Sequence, residues 1–145
     1  MVTFRKATEA DVLQVVELER EAFSVPWSEQ NVRETIGQTC AFISVAEIDG
    51  KVASYCIVYC VMEFAEIARI ATARKYRRMG MARRLMDYTV EWCKEKECSI
   101  MQLDVRESNE GARCFYQTYG FVEDGIRKNY YEQPKEHAVL MSMEL

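Results

Sequence analysis

Between Lys75 and Arg84 the chain reads KYRRMGMARR, so five cationic side chains (Lys75, Arg77, Arg78, Arg83 and Arg84) surround one glycine, Gly80, in a chain whose net charge is −4. A helix-forming run follows. Met81, Leu85, Tyr88 and Trp92 recur at helical spacing and give one buried face reaching about Lys96. The first amides of a helix have no partner inside it, and its N-terminal end carries partial positive charge. Arginines are therefore unfavourable at such a start unless an anion sits among them, and phosphate is the anion that fits. Two common phosphate motifs, GxxxxGK[ST] and GxGxxG, are absent. What remains is R-x-x-G-x-A, Arg77 to Ala82. The glycine lets the backbone approach a ligand and turn its N–H groups toward it, the small Ala82 removes bulk, and Arg77, Arg78 and Arg83 add charge.

Other chemistries find less support. The six cysteines include no CxxC pair and there is one histidine, His137, so no metal site is expected. Cys56 and Cys60 fall in one expected strand, roughly 13 Å apart, too far for a disulfide; the cysteines read as reduced, small core residues. No apolar run approaches the ~20 residues of a membrane helix, and the N-terminus lacks a signal-peptide core. A cytoplasmic protein with no membrane contact is expected. The acidic balance argues against direct nucleic-acid binding and makes the basic cluster local in purpose. At 145 residues with 49% hydrophobic content, one domain over residues 1–145 is expected.

The elements that must position the cluster follow from periodicity. TFRKAT suits a short strand, and Thr8 begins T-x-x-D, a capping-box variant with Asp11 in the first helical turn. Val12, Leu13, Val16, Leu18, Ala22 and Phe23 give an apolar stripe to about Ser24, where VPW interrupts it. Ser28 is the expected N-cap of a second short helix, EQNVRETI, ending at Gly37. AFISVAEI and KVASYCIVYCVM flank Asp49-Gly50 as a hairpin, and EFAEIARIAT adds a third strand. SIMQLDV is a short strand, and NEGARCFYQTY is a helix with Ala112, Phe115 and Tyr119 inward, closed by Gly120. FVEDGI and HAVLMSMEL are the last strands, with a polar loop between them. The order β-α-α-β-β-β-α-β-α-β-β predicts an α/β (α+β) fold: a mixed, mostly antiparallel central sheet covered by helices on both faces. The stretch from 64 to 105 is its one parallel crossover.

The segment IATARKYRRMGMARRLM, from Ile70, resembles the signature of the GNAT acetyltransferases, a strand followed by [RQ]-x-x-G-x-[GA] at a helix start. The order of elements is similar to that fold over essentially the whole chain. PWSE (Pro26 to Glu29), LDVRESNEGARCFYQTYGF (Leu103 to Phe121) and IRKNYY (Ile126 to Tyr131) resemble more narrowly the ribosomal-protein-alanine N-acetyltransferases, the RimI group. These acetylate the N-terminal amine of a small-subunit ribosomal protein.

The resemblance implies acetyl-CoA as donor and no metal. It assigns Ile70, Ala71 and Thr72 to backbone pairing with the pantetheine amides, like an added strand. Arg77, Arg78, Met79, Gly80, Met81, Ala82 and Arg83 would surround the pyrophosphate. Asn109 would contact the cofactor, though its place at a helix start reads equally as a cap. Tyr116 would protonate the leaving thiolate; as a residue on the inward face of its helix it also reads as a core aromatic. Asp104, in LDVR, stands where the family has the glutamate general base of L-E-V-R. It is one methylene shorter, a displacement of about 1.5 Å that a bridging water can span. Strand alternation puts Asp104 with Gln102 on the face opposite Met101, Leu103 and Val105. The alternative for Asp104 is a structural carboxylate paired with Arg106 or Arg113, with Glu107 and Glu66 as other bases. Trp27, Tyr130 and Tyr131 would line the acceptor entrance.

The resulting expectation is acetyl transfer from acetyl-CoA to the N-terminal alanine of a protein, by a monomer or homodimer. A small-molecule amine acetyltransferase of the same fold, and a module that binds acyl-CoA without turnover, are the alternatives.

Overall fold

The computed structural model describes residues 1–145. Seven strands, β1 (Val2–Lys6), β2 (Ala41–Ile48), β3 (Lys51–Val61), β4 (Phe64–Thr72), β5 (Ile100–Arg106), β6 (Val122–Glu132) and β7 (Lys135–Glu144), form one sheet in the order β1-β2-β3-β4-β5-β7-β6. Four α-helices, α1 (Val12–Ala22), α2 (Glu29–Ile36), α3 (Met81–Glu95) and α4 (Glu110–Tyr119), pack on it. The pairing of β4 with β5 is parallel and every other pairing is antiparallel, so the mixed sheet and its single crossover through α3 are as the sequence predicts.

Local chemistry explains most boundaries. Ser28 Oγ accepts from the amide of Asn31 at 3.1 Å and starts α2. Thr8 and Asp11 complete the capping box, around a 3-10 turn at Glu9–Asp11 rather than the first turn of α1 itself. Asp49 and Gly50 both take left-handed φ, 51° and 77°, as a two-residue hairpin requires.

The sheet has two unlike faces. On one, α3 and α4 bury Met81, Leu85, Met86, Val90, Cys93 and Tyr116 against Cys56, Val58, Ile67, Leu103 and Val139. Tyr88 and Trp92 of α3 are only half-buried; Trp92 stacks on Phe42 with centroids 4.2 Å apart. On the other face, α1 and α2 bury Val12, Val15, Val16 and Val32 against Ile43, Val45, Tyr55 and Ile57. The inward stripe of α1 runs through Val12, Val15, Val16 and Glu19, and Leu13 stays 60% exposed. The α1 and α2 layer packs chiefly over β2, β3 and β4. The β5-β7-β6 half of that face is not roofed by a helix, and there Gln102 is exposed and Asp104 half-buried.

The expected polar loop near the C-terminus is instead strand. β6 runs to Glu132 through a register irregularity between Arg127 and Tyr131, where Asn129 has φ 52°. β6 is the edge strand of the sheet, so its sequence need not be apolar, and a bulged, polar edge discourages pairing with other chains. This is why periodicity did not reveal it.

The site depends on one irregularity. β4 and β5 pair only from Phe64 with Ile100 to Ile67 with Leu103. The β3–β4 register then shifts, Val58 opposing Ile67 and Ile57 opposing Arg69, so Ala68 is an extra residue in β4. A bulge bends its strand and increases the twist. Beyond it β4 stays with β3, β5 stays with β7, and a gap opens between Ala68–Thr72 and Asp104–Arg106.

Candidate active site

The expected donor residues come together along the open edge of β4 and the loop after it. Ala71 turns its carbonyl to β3, accepting from Ser54 Oγ at 2.8 Å, and the amide of Ala73 donates to Ala53 O at 2.8 Å. Alternation along the ladder therefore aims the backbone groups of Ile70 and Thr72 into the gap. Of the three expected edge residues, Ile70 and Thr72 turn backbone groups toward the gap and Ala71 does not. Thr72 O accepts from Arg77 Nε at 3.1 Å, and Arg77 Nη2 lies 3.9 Å from Glu21. Arg77 thus ties the loop back to β4 and α1.

Arg78 and Gly80 both hold left-handed φ, 64° and 73°. Between the end of β4 and α3 the chain makes a tight reversal, and the first backbone bond into the helix runs from the amide of Arg84 to Gly80 O at 3.1 Å. The amides before it, including those of Met81, Ala82 and Arg83, face outward at the helix start. A Cβ on Gly80 would meet no protein atom within 4 Å, so the space beside it is open. Met79 is 60% exposed at the rim. An open cradle of amides with Arg78 and Arg83 beside it has the chemistry of a pyrophosphate site. Asn109 caps α4, its Oδ1 accepting from the amide of Ala112 at 3.1 Å.

Tyr116 is the most buried residue of α4, at 6% exposure, held edge-on between Phe115 and Phe121 with centroids 5.4 and 5.5 Å away. The residues expected inward, Ala112, Phe115 and Tyr119, flank it at the margin of the core. Burial pushes the Tyr116 phenol well above the ordinary value near 10 assumed from its type, and the neighbouring Cys56 and Tyr131 push in the same direction. Its hydroxyl therefore keeps its proton throughout the physiological range.

Asp104 lies on the opposite face. Neither arginine weighed as its partner pairs with it. Arg106 bonds Glu136 (3.3 Å) and the carbonyls of Gln133 (3.0 Å) and Pro134 (2.8 Å). Arg113 bonds Glu123 and the carbonyl of Glu107, each at 2.8 Å. Asp104 instead lines a cavity of about 350 Å³ with Glu66, Gln102, Asp124, Arg127 and Tyr130. Glu66, one of the two alternative bases, stands opposite Gln102 in the parallel pair and shares this basin with Asp104. Glu107 does not line this cavity.

Tyr131 connects the two faces. Arg106 stacks on its ring at 4.3 Å, Tyr130 packs edge-on at 5.1 Å, and burial followed by the charge of Asp104 pushes its phenol up to about 12. Trp27 belongs to the loop between α1 and α2; Ser24 of that loop donates to Gln133 O at 2.9 Å, linking it to the β6–β7 turn. Loop and turn together wall one side of the gap.

The sequence reading missed the side chains that hold these walls. Glu19 is fully buried, accepts from the amide of Trp27 at 2.8 Å and from the hydroxyl of Tyr55, and lies 3.5 Å from Arg69 Nε. Glu21 accepts from the amide of Arg74 at 3.0 Å. One signal was present: Glu19 falls at the i+3 and i+4 positions of Val16 and Val15, on the stripe where an apolar residue is expected.

A mixed sheet that parts beside an amide cradle, with a buried tyrosine on one face and carboxylates on the other, is an arrangement suited to acyl transfer. The sequence model of the acetyltransferase (GNAT) family matches residues 12–121, and the chain belongs to that family. Among its relatives is a Bacillus subtilis protein named "Putative [ribosomal protein bS18]-alanine N-acetyltransferase", 37% identical over 132 residues that cover 90% of this chain and 87% of the relative. The Escherichia coli K12 [ribosomal protein bS18]-alanine N-acetyltransferase is 28% identical over 145 residues, 99% of this chain and 97% of that one. The crystal structure of the Escherichia coli ribosomal-protein-S18-alanine N-acetyltransferase superposes with a TM-score of 0.90 at 27% identity, covering 99% of this chain and 94% of the other.

Proposed function

We propose that the chain, acting as one domain, transfers the acetyl group of acetyl-CoA to the α-amine of an N-terminal alanine on a small-subunit ribosomal protein, in the cytoplasm where that acceptor resides. The observation that carries this reading is the gap between β4 and β5, flanked by the protonated Tyr116 on one face and the unpaired Asp104 on the other. The relatives named for bS18-alanine acetylation support the acceptor class.

Acetyl-CoA supplies an acetyl group on a thioester. The amides of Gly80 to Arg83, with Arg78 and Arg83, hold its pyrophosphate, and Arg77 keeps that loop in shape. Ile70 and the amide of Thr72 align its pantetheine arm through backbone groups that face the gap, with Asn109 at the facing helix start. A backbone N–H of β4 beside the bulge faces the thioester oxygen and stabilises the charge that develops there. Asp104 accepts the proton of the incoming α-amine, through a water where the shorter side chain leaves a space, with Glu66 in the same basin. An α-amine has a pKa near 8 against about 10.4 for lysine, so a carboxylate relay suffices. Tyr116 delivers its hydroxyl proton to the departing sulfur. Trp27, Tyr130 and Tyr131 enclose the acceptor's first residues.

The test is incubation with acetyl-CoA and a peptide beginning with alanine, read by mass spectrometry. A single acetyl on the α-amine is expected. An untouched peptide alongside turnover of a polyamine would transfer the assignment to a small-molecule acetyltransferase.

A further inference from the structure

We infer that Arg69, acting with the buried Glu19, is a positioning residue for the acceptor: it fastens the wall made by Phe23 to Trp27 to the strand that holds the donor. The inference rests on the proposed acetylation of a peptide terminus and names the residues that set its approach.

Arg69 follows the extra residue Ala68 and precedes Ile70, and its side chain lies on the α1 face. There it meets the loop at several points. Nη2 donates to Val25 O at 2.7 Å, the guanidinium lies over the Phe23 ring at 4.3 Å, and the Trp27 ring is 6.0 Å away. The loop has no regular structure between the end of α1 and the start of α2, so these contacts, the Trp27 amide bond to Glu19 and the Ser24 bond to Gln133 define its course.

The chemistry of the pair argues for geometry rather than stability. Burying a carboxylate completely is costly, and an apolar residue in the same stripe of α1 would pack at least as well. What a carboxylate adds is direction. One oxygen of Glu19 takes the Trp27 amide and faces Arg69, and the other takes the Tyr55 hydroxyl. Arg69 Nε is also the one buried side-chain polar atom in the protein without a hydrogen bond, 3.5 Å from the carboxylate it faces. Arg69 thus reaches the loop through Nη2 and faces α1 through Nε. The guanidinium is the group suited to this, being always charged, planar and able to stack and donate at once.

Arg69→Met should raise the KM for an alanine-terminated peptide about tenfold while kcat and the dissociation constant of acetyl-CoA stay within about twofold, the signature of misplaced acceptor with intact chemistry. Hydrogen exchange at the Trp27 amide should quicken in the same variant. Arg69→Lys should recover part of the KM, because the charge remains but the fork and the stacking are lost; it also carries the test if Arg69→Met does not fold. Wild-type KM together with wild-type exchange at Trp27 overturns the proposal, as does a loss shared equally by acetyl-CoA affinity. If the unsubstituted enzyme leaves the peptide untouched, the acetylation reading is what fails, and exchange at Trp27 alone then decides whether Arg69 holds the loop.

Discussion

The two sides of the gap, to which we assign the donor and the acceptor, are built by different means. The donor side occupies one continuous stretch, Ile70 to Arg83, and works through main-chain groups whose directions are set by a bulge and two left-handed residues. The acceptor side gathers Glu19, Ser24, Trp27, Arg69, Arg106, Tyr131 and Gln133, residues distant along the chain, through side-chain contacts. A backbone site tolerates changes of side chain and suits the common part of the reaction, the coenzyme. A side-chain site can be re-specified by single substitutions, which suits the part of the reaction that must discriminate.

This contrast can be broken or sharpened by substitution. The largest effect is expected at the chemistry between the two sides. Tyr116→Phe keeps the packing against Phe115 and Phe121 and removes only the hydroxyl, so kcat should fall about 100-fold with acetyl-CoA affinity unchanged by calorimetry. A module that merely binds acyl-CoA would instead give equally negligible rates in both proteins. Asp104→Asn should lower kcat by about 30-fold in steady-state assays without altering either binding step, and a larger loss in Glu66→Gln would move the base to Glu66. On the donor side, Gly80→Val forces a β-branched residue into left-handed φ and should weaken acetyl-CoA about tenfold in calorimetry, leaving acceptor KM in place. On the acceptor side, Ser24→Ala removes one exposed hydrogen bond and should raise acceptor KM by only about two- to threefold in the same assay. Least of all should alkaline pH matter. Both site phenols are raised, Tyr131 to about 12, so each keeps its proton well past the ordinary tyrosine value. The rate should climb as the acceptor amine deprotonates near pH 8 and stay level to about pH 10, whereas a decline before that point would mean that one of these phenols ionises normally.

The same contrast explains what could be read from the sequence. The Asp49-Gly50 hairpin, the α2 cap at Ser28 and the arginine-flanked Gly80 are local patterns, each specified within a few residues. They sufficed for the fold and for the shape of the turn around Gly80. Asp104 was located through its motif, but its freedom from Arg106 and Arg113 emerged only when those arginines were seen bonded to Glu136 and Glu123. Glu19 and Arg69 left almost no trace, because their partners lie 8 to 50 positions away (Trp27 from Glu19, Arg69 from Glu19) and no short window contains such a pairing. β6 was misjudged in part for a related reason. An edge strand whose residues are nearly all exposed carries no alternation to detect.

The extra residue at Ala68 also resets parity along β4. Before it, odd-numbered Ala65 and Ile67 point to the α3 layer; after it, even-numbered Ile70 does, and odd-numbered Ala71 points to the α1 layer. The slot is therefore a matter of counting. Exchanging the side chain at position 68 leaves the count intact, whereas deleting one residue would let the two halves of the sheet zip together and seal the enzyme's own entrance.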